Sequence, residues 1–167
     1  MAIAATVERS LKASGIPYEL LPHAPTKSSY GSARAAHLPA RQLAKGVLLK
    51  EKDKYLLAVL PASRKLDLSW LRSETGRACE LASEAELSQI FPDCAPGAVP
   101  ALGPAYGLQA VVERALCGQS ELYFEAGDHE ELVHVREADY ETLIGEAEYC
   151  SFTTLLDDVG AERARPL

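Results

Sequence analysis

Residues 55–62, YLLAVLPA, are apolar at every position, and a strand without a polar face must be covered on both sides. A polar break, Glu51, Lys52, Asp53 and Lys54, separates this run from Val47, Leu48 and Leu49 within QLAKGVLLK (residues 42–50). The pair reads as a β-hairpin. Side chains alternate along a strand, so residues 43, 45, 47 and 49 share one face and Lys45 stands in line with Leu43, Val47 and Leu49. A buried ammonium is costly unless an opposite charge meets it. Two readings follow for Lys45. Either its stem packs at the strand mouth while its head reaches water, or it waits for a partner.

The rest of the chain alternates short elements. Ile3, Val7 and Leu11 fall on one face of a helix over residues 2–14, stopped by Gly15 and Pro17. YELL (18–21) reads as a strand, HAPTKSS as a loop, and residues 29–37 as a short alanine-rich helix. Residues 67–72 form a short helix, and Ser83 with Glu86 makes a capping box before a helix ending near Phe91 and Pro92. PDCAPGAVPALGPAYG (92–107) holds too many glycines and prolines for a regular element. QAVVE, ELYFEAG and ELVHVR are strand-like, and residues 137–144 helical. At 167 residues this is one domain, 1–156, followed by a polar tail, 157–167, expected to fray. The fold class is α+β: a mainly antiparallel or mixed sheet flanked by helices, whose short strands allow a partly closed, barrel-like form.

Composition excludes several kinds of chemistry. Cys79, Cys94, Cys117 and Cys150 form no CxxC pair, which argues against zinc and a disulfide framework and for reduced thiols in a cytoplasm. HEELVH (129–134) is one residue too long for a HExxH zinc motif, and no GK[ST] follows the glycines of the 92–107 segment. No metal or cofactor is expected. Gly97, Gly103 and Gly107 would let backbone amides approach a ligand. His23 and His37 read as surface residues. No apolar run has the length of a membrane span, and the first residues are too polar for a secretory signal. The net charge is −7, but residues 24–77 carry 11 of the 17 Lys and Arg and only 4 of the 24 Asp and Glu. A basic face on an acidic protein suits a polyanion such as RNA.

SSYG (28–31), Ala35 and Ala36 with Leu38, LAKGVLL (43–49) and LAVLPA (57–62) come in the order seen in the YbaK family. That family includes the editing domain inserted in bacterial prolyl-tRNA synthetases. GAVPALG (97–103) resembles its glycine–proline loop, FEAGDHEEL (124–132) its glycine-turn strand and ADYETLI (138–144) its closing helix, so the resemblance covers about residues 16–145. It implies a barrel-like α+β domain that hydrolyses the ester of a mischarged small amino acid on tRNA, acting in trans, with tRNA for proline a candidate. The partners are the aminoacyl-tRNA acceptor end and an aminoacyl-tRNA synthetase. The alternative is a catalytically silent tRNA- or ligand-binding module of the same fold.

Under this resemblance Lys45 matches the functional lysine, and Gly97, Pro100 and Gly103 the substrate loop. Tyr30, Gly127 and His129 match pocket positions. Gly46 stands where threonine or asparagine is common, and Glu113 where aspartate is frequent. Lys50, Lys52 and Lys54 are the candidate tRNA contacts. Lys45 would then be partnered by a phosphate or the reacting ester. An aminoacyl ester is already activated, so hydrolysis needs positioning, a water and a place for oxyanion charge. Backbone amides of the glycine loop would supply the last, with a ribose hydroxyl assisting, and no protein nucleophile is required.

Overall fold

The computed structural model describes residues 3–156, so the tail expected over 157–167 lies outside the described residues. In chain order the elements are α1 (Ala5–Ser14), β1 (Glu19–Pro22), α2 (Ser29–Ala35), β2 (Leu43–Glu51), β3 (Lys54–Pro61), β4 (Arg64–Leu66) and α3 (Leu68–Thr75). There follow β5 (Glu80–Leu81), α4 (Glu84–Ile90), β6 (Gln109–Glu113), β7 (Glu121–Glu125), β8 (Glu131–Arg136), α5 (Glu137–Ile144), β9 (Ala147–Cys150) and β10 (Thr153–Leu155).

The hairpin is present and organises the domain. A two-residue loop, with Lys52 in the left-handed region at φ 54°, joins β2 to β3, and the register runs from Glu51↔Lys54 to Ala44↔Pro61. Both faces of β3 are covered, as its composition demands. Leu57 and Val59 enter the main core with Val7 and Leu11 of α1 and Tyr140 and Ile144 of α5. Leu56, Ala58 and Leu60 pack on the other face with Leu71 of α3 and Phe152. A third cluster places Ala33 of α2 on Leu43, Ala62 and Leu132. Each fully buried leucine contributes about 1.5–3 kcal/mol, so β3 anchors both layers.

The main sheet has the order β1-β8-β7-β2-β3-β6-β9, with β5 added to β2. It is mixed: β2 with β7, β3 with β6 and β6 with β9 are parallel, and the other pairs antiparallel. Closure toward a barrel does not occur, because β1 and β9 end the sheet as edges and β4 and β10 pair as a separate ribbon. Ser83 and Glu86 form the capping box of α4, and Gly15 ends α1 in a left-handed conformation. Helix α3 starts on its Asp67 cap and runs three residues past the expected end, to Thr75.

The four strands not foreseen, β4, β5, β9 and β10, are two to four residues long. Glu113 explains one of them. It is 2% exposed, and its Oε1 accepts hydrogen bonds from Phe152 N (3.0 Å), Thr153 N (3.1 Å) and Thr153 Oγ1 (2.6 Å), while Oε2 accepts from Ala115 N (2.9 Å). The carboxylate staples the start of β10 to the end of β6. Among the described residues no helix is long and apolar enough to cross a membrane.

Candidate active site

The site begins where β2 changes neighbours. On one side β2 pairs with β3 throughout; on the other it pairs with β7 only through Leu43 and Ala44 and with β5 only through Leu49 and Lys50. Lys45, Gly46 and Val47 lie in the gap. A crevice at the carboxyl end of a parallel strand, where neighbours diverge, is a common place for ligands. The β2–β7 ladder ends at Ala44↔Phe124, so Lys45 and Glu125 are the next residues of adjacent strands and share the face of Leu43 and Tyr123. Lys45 is half-buried and has no hydrogen bond or ion pair among the described residues; burial pulls its pKa below 10.5. The ammonium is neither fully solvated nor paired among the described residues.

Gly46 faces the other way. A Cβ there would sit 3.2 Å from Leu57 Cδ1 and 3.2 Å from Val99 Cγ1, so this glycine lets the 94–103 loop close on the strand. The loop is held at several points. Ala95 N donates to Gly127 O (2.7 Å), Tyr140 Oη to Ala101 O (2.6 Å), and Leu108 N to Gly103 O (3.0 Å). Asp93 accepts from Thr6 N (2.8 Å) and Tyr106 Oη (3.0 Å). Pro100 and Gly103 are buried, whereas Gly97 is exposed. The N–H groups of Gly97 and Val99 donate to no group among the described residues. The β7–β8 turn packs on this loop. His129, at φ 62°, bonds through Nε2 to Pro96 O at 2.5 Å. Gly127 has φ 113°, and a Cβ there would be 2.8 Å from Ala4 Cβ.

Beneath α2 lies a polar cluster that the sequence reading did not assemble. Ser32 Oγ, itself 2.6 Å from Thr26 Oγ1, donates to Glu125 Oε1 at 2.9 Å. His23 is not a surface residue, as its place in a polar loop suggested. It is 9% exposed, with Nε2 3.9 Å from Glu125 Oε2, because its N–H bonds to Glu130 O (2.8 Å) and draws the segment after β1 onto β8. Its Nδ1 lies 2.8 Å from Ala24 O. Asp128 Oδ1 accepts from Glu130 N and Glu131 N, both at 2.9 Å. Burial above all raises the Glu125 pKa, against the Ser32 hydrogen bond and the charges of His23 and His129. No spacing rule links residues 23, 32 and 125; sheet order does.

The remaining candidates are dispersed. Tyr30 is half-buried on α2, and His37 is exposed. Lys50 pairs with Glu86 at 3.2 Å, while Lys52 and Lys54 are exposed at the hairpin tip. At about 3.3 Å per residue, Lys52 is roughly 23 Å along the strand from Lys45. The two histidines of HEELVH separate: His129 joins the loop, and His134 bonds Glu121 (2.6 Å) and stacks on Tyr123 (4.5 Å). Among the described residues no group of three or more His, Cys, Asp or Glu could hold a metal ion.

Comparison with solved structures establishes the fold. A scaffold protein from computational epitope grafting superposes with a TM-score of 0.77 at 18% identity, covering 92% of this chain and 97% of the other. The hypothetical protein APE2540 gives 0.76 at 20% (89% and 99% covered). A proposed trans-editing enzyme for prolyl tRNA synthetase gives 0.76 at 19% (90% and 96%). No curated protein matches. The model of the aminoacyl-tRNA editing domain matches residues 23–143, a span that holds Lys45, the glycine loop and the β7–β8 turn. This chain therefore belongs to the aminoacyl-tRNA editing domain family.

Proposed function

We propose that this protein hydrolyses, in trans, the ester between a mischarged small amino acid and the 3′ end of its tRNA. The observation that carries the reading is Lys45, a half-buried ammonium without an anionic partner among the described residues, set in the gap between β7 and β5 next to Gly46, on which the glycine loop closes with the N–H groups of Gly97 and Val99 unused among the described residues. A terminal phosphate of the acceptor strand would pair with that charge and fix the ester beside the loop. Water attacks the ester carbonyl, and the N–H groups of Gly97 and Val99 receive the developing oxyanion. The carbon–oxygen bond to the ribose breaks and the ribose oxygen takes a proton, leaving a free amino acid and tRNA. Lys52 and Lys54, at the far end of the hairpin, would meet phosphates further along the acceptor stem and position it.

The structural likeness to a proposed trans-editing enzyme for prolyl tRNA synthetase makes tRNA for proline the first to assay, with that synthetase as the candidate partner. The test is deacylation of tRNAs charged with alanine, serine, threonine, cysteine and proline. At least one is expected to be cleared faster than its spontaneous rate, and Lys45→Ala to abolish the gain. Binding without acceleration on the whole panel would refute the hydrolase reading and leave a silent tRNA-binding module.

A further inference from the structure

Among the described residues, four buried polar side-chain atoms have no hydrogen-bond partner, and all four belong to one neighbourhood: His23 Nε2, Glu125 Oε2, Asp128 Oδ2 and His129 Nδ1. The two carboxylate oxygens are acceptors, and so are the two ring nitrogens when the imidazoles are neutral. His23 Nδ1 donates to a carbonyl, Ala24 O, so in the neutral ring Nε2 offers a lone pair. His129 Nε2 donates to Pro96 O, and in its neutral ring Nδ1 offers a lone pair. Glu125 already receives the Ser32 proton on Oε1, and Asp128 receives two N–H groups on Oδ1. His23 Nε2 and Glu125 Oε2, 3.9 Å apart, are too distant to share a hydrogen bond directly. Glu125, Asp128 and His23 are each at least nine-tenths buried, at 3%, 6% and 9% exposure. Unmet buried acceptors cost stability, so such a concentration fits a ligand rich in donors.

We infer that these acceptors receive a primary ammonium group, the α-ammonium of the esterified amino acid. The inference rests on the deacylase reading for the identity of the ligand and adds how that ligand is held. An ammonium brings three donors and a positive charge, which suits two carboxylates and two imidazole lone pairs. The atoms do not form a metal-binding group. The placement also suits a substrate with two unlike ends. Lys45, the next residue on the adjacent strand, would hold the anionic end.

The test compares an aminoacyl-tRNA that the protein deacylates with its N-acetyl derivative, each rate divided by its spontaneous rate, because the ammonium itself activates the ester. Acceleration is expected to fall at least about 10-fold on acetylation, the equivalent of one charge-assisted hydrogen bond. Glu125→Gln should lose most of that discrimination while its melting temperature reports folding. Equal acceleration of both substrates by the wild type would overturn the inference and leave the deacylase reading intact. Calorimetry with a non-hydrolysable 3′-alanylamino-3′-deoxyadenosine, and with its propionyl counterpart lacking the amine, decides the matter even if no tRNA is deacylated. Binding of the alanyl form at least about 10-fold tighter supports the ammonium site. Equal binding, or no binding of either, refutes it.

Discussion

Replacing Lys45 separates catalysis from stability, and the structure sets the size of both effects. If the ammonium is a preorganised charge beside the ester, Lys45→Ala removes about 2–4 kcal/mol of transition-state stabilisation, or roughly 30- to 900-fold in single-turnover rate. The effect on stability is smaller and of mixed sign. Alanine deletes three methylenes of a half-buried stem, a loss of about 1 kcal/mol. It also removes a charge whose pKa is lowered by burial, with no ion pair among the described residues to be lost. Lys45→Met keeps most of the stem and drops the charge, so its melting temperature should equal or exceed the wild type's. Alanine should lower it by no more than about 2–4 °C.

The pH dependence has a defined sign. The folded protein releases the Lys45 proton at lower pH than the unfolded chain, so wild-type stability rises as pH climbs from the lowered pKa toward 10.5. Lys45→Met should lack that rise. Arginine should restore little activity, since a planar fork does not replace a compact point charge. Wild-type turnover by Lys45→Met, on a substrate the parent clearly deacylates, would refute the reasoning. A lysine that merely packs its stem predicts that result.

The double reversal Lys52→Glu and Lys54→Glu should raise KM more than it lowers kcat and flatten the salt dependence of binding by about 1–2 in log–log slope; an unchanged KM would place the hairpin tip away from tRNA. Glu113→Ala leaves the N–H groups of Phe152, Thr153 and Ala115 without their acceptor and should cost about 3 kcal/mol or more by urea denaturation. Glu86 is held down to about 2 by Tyr55 first, then by the Ser83 backbone and side chain, with Lys50 also contributing. Its contribution to stability should be complete above its ordinary value of 4.5 and fade as pH falls toward 2, and Glu86→Gln should not show that acid fade.

The sequence by itself determined the hairpin, the layers and the position of the odd cation. An all-apolar strand has only one solution, burial on both faces, and β3 adopts it with Leu57 on one side and Leu60 on the other. Strand alternation put Lys45 on the face of Leu43, and the Ser83–Glu86 spacing placed α4, because these are local rules acting over a few residues. Tertiary structure alone decided what those rules cannot reach. Strands β4, β5, β9 and β10 carry too few residues for a period of their own and exist because a neighbour offers a ladder or, for β10, because Glu113 receives its N–H groups. The sheet stays open because β1 pairs only with β8 and β9 only with β6, pairings that no local rule sets. His23 looked exposed beside alanine, proline and lysine, yet its bond to Glu130 carries it inward to Glu125. That encounter depends on β1 pairing with β8 and β8 with β7, and long-range pairing leaves no signature in the spacing of either residue.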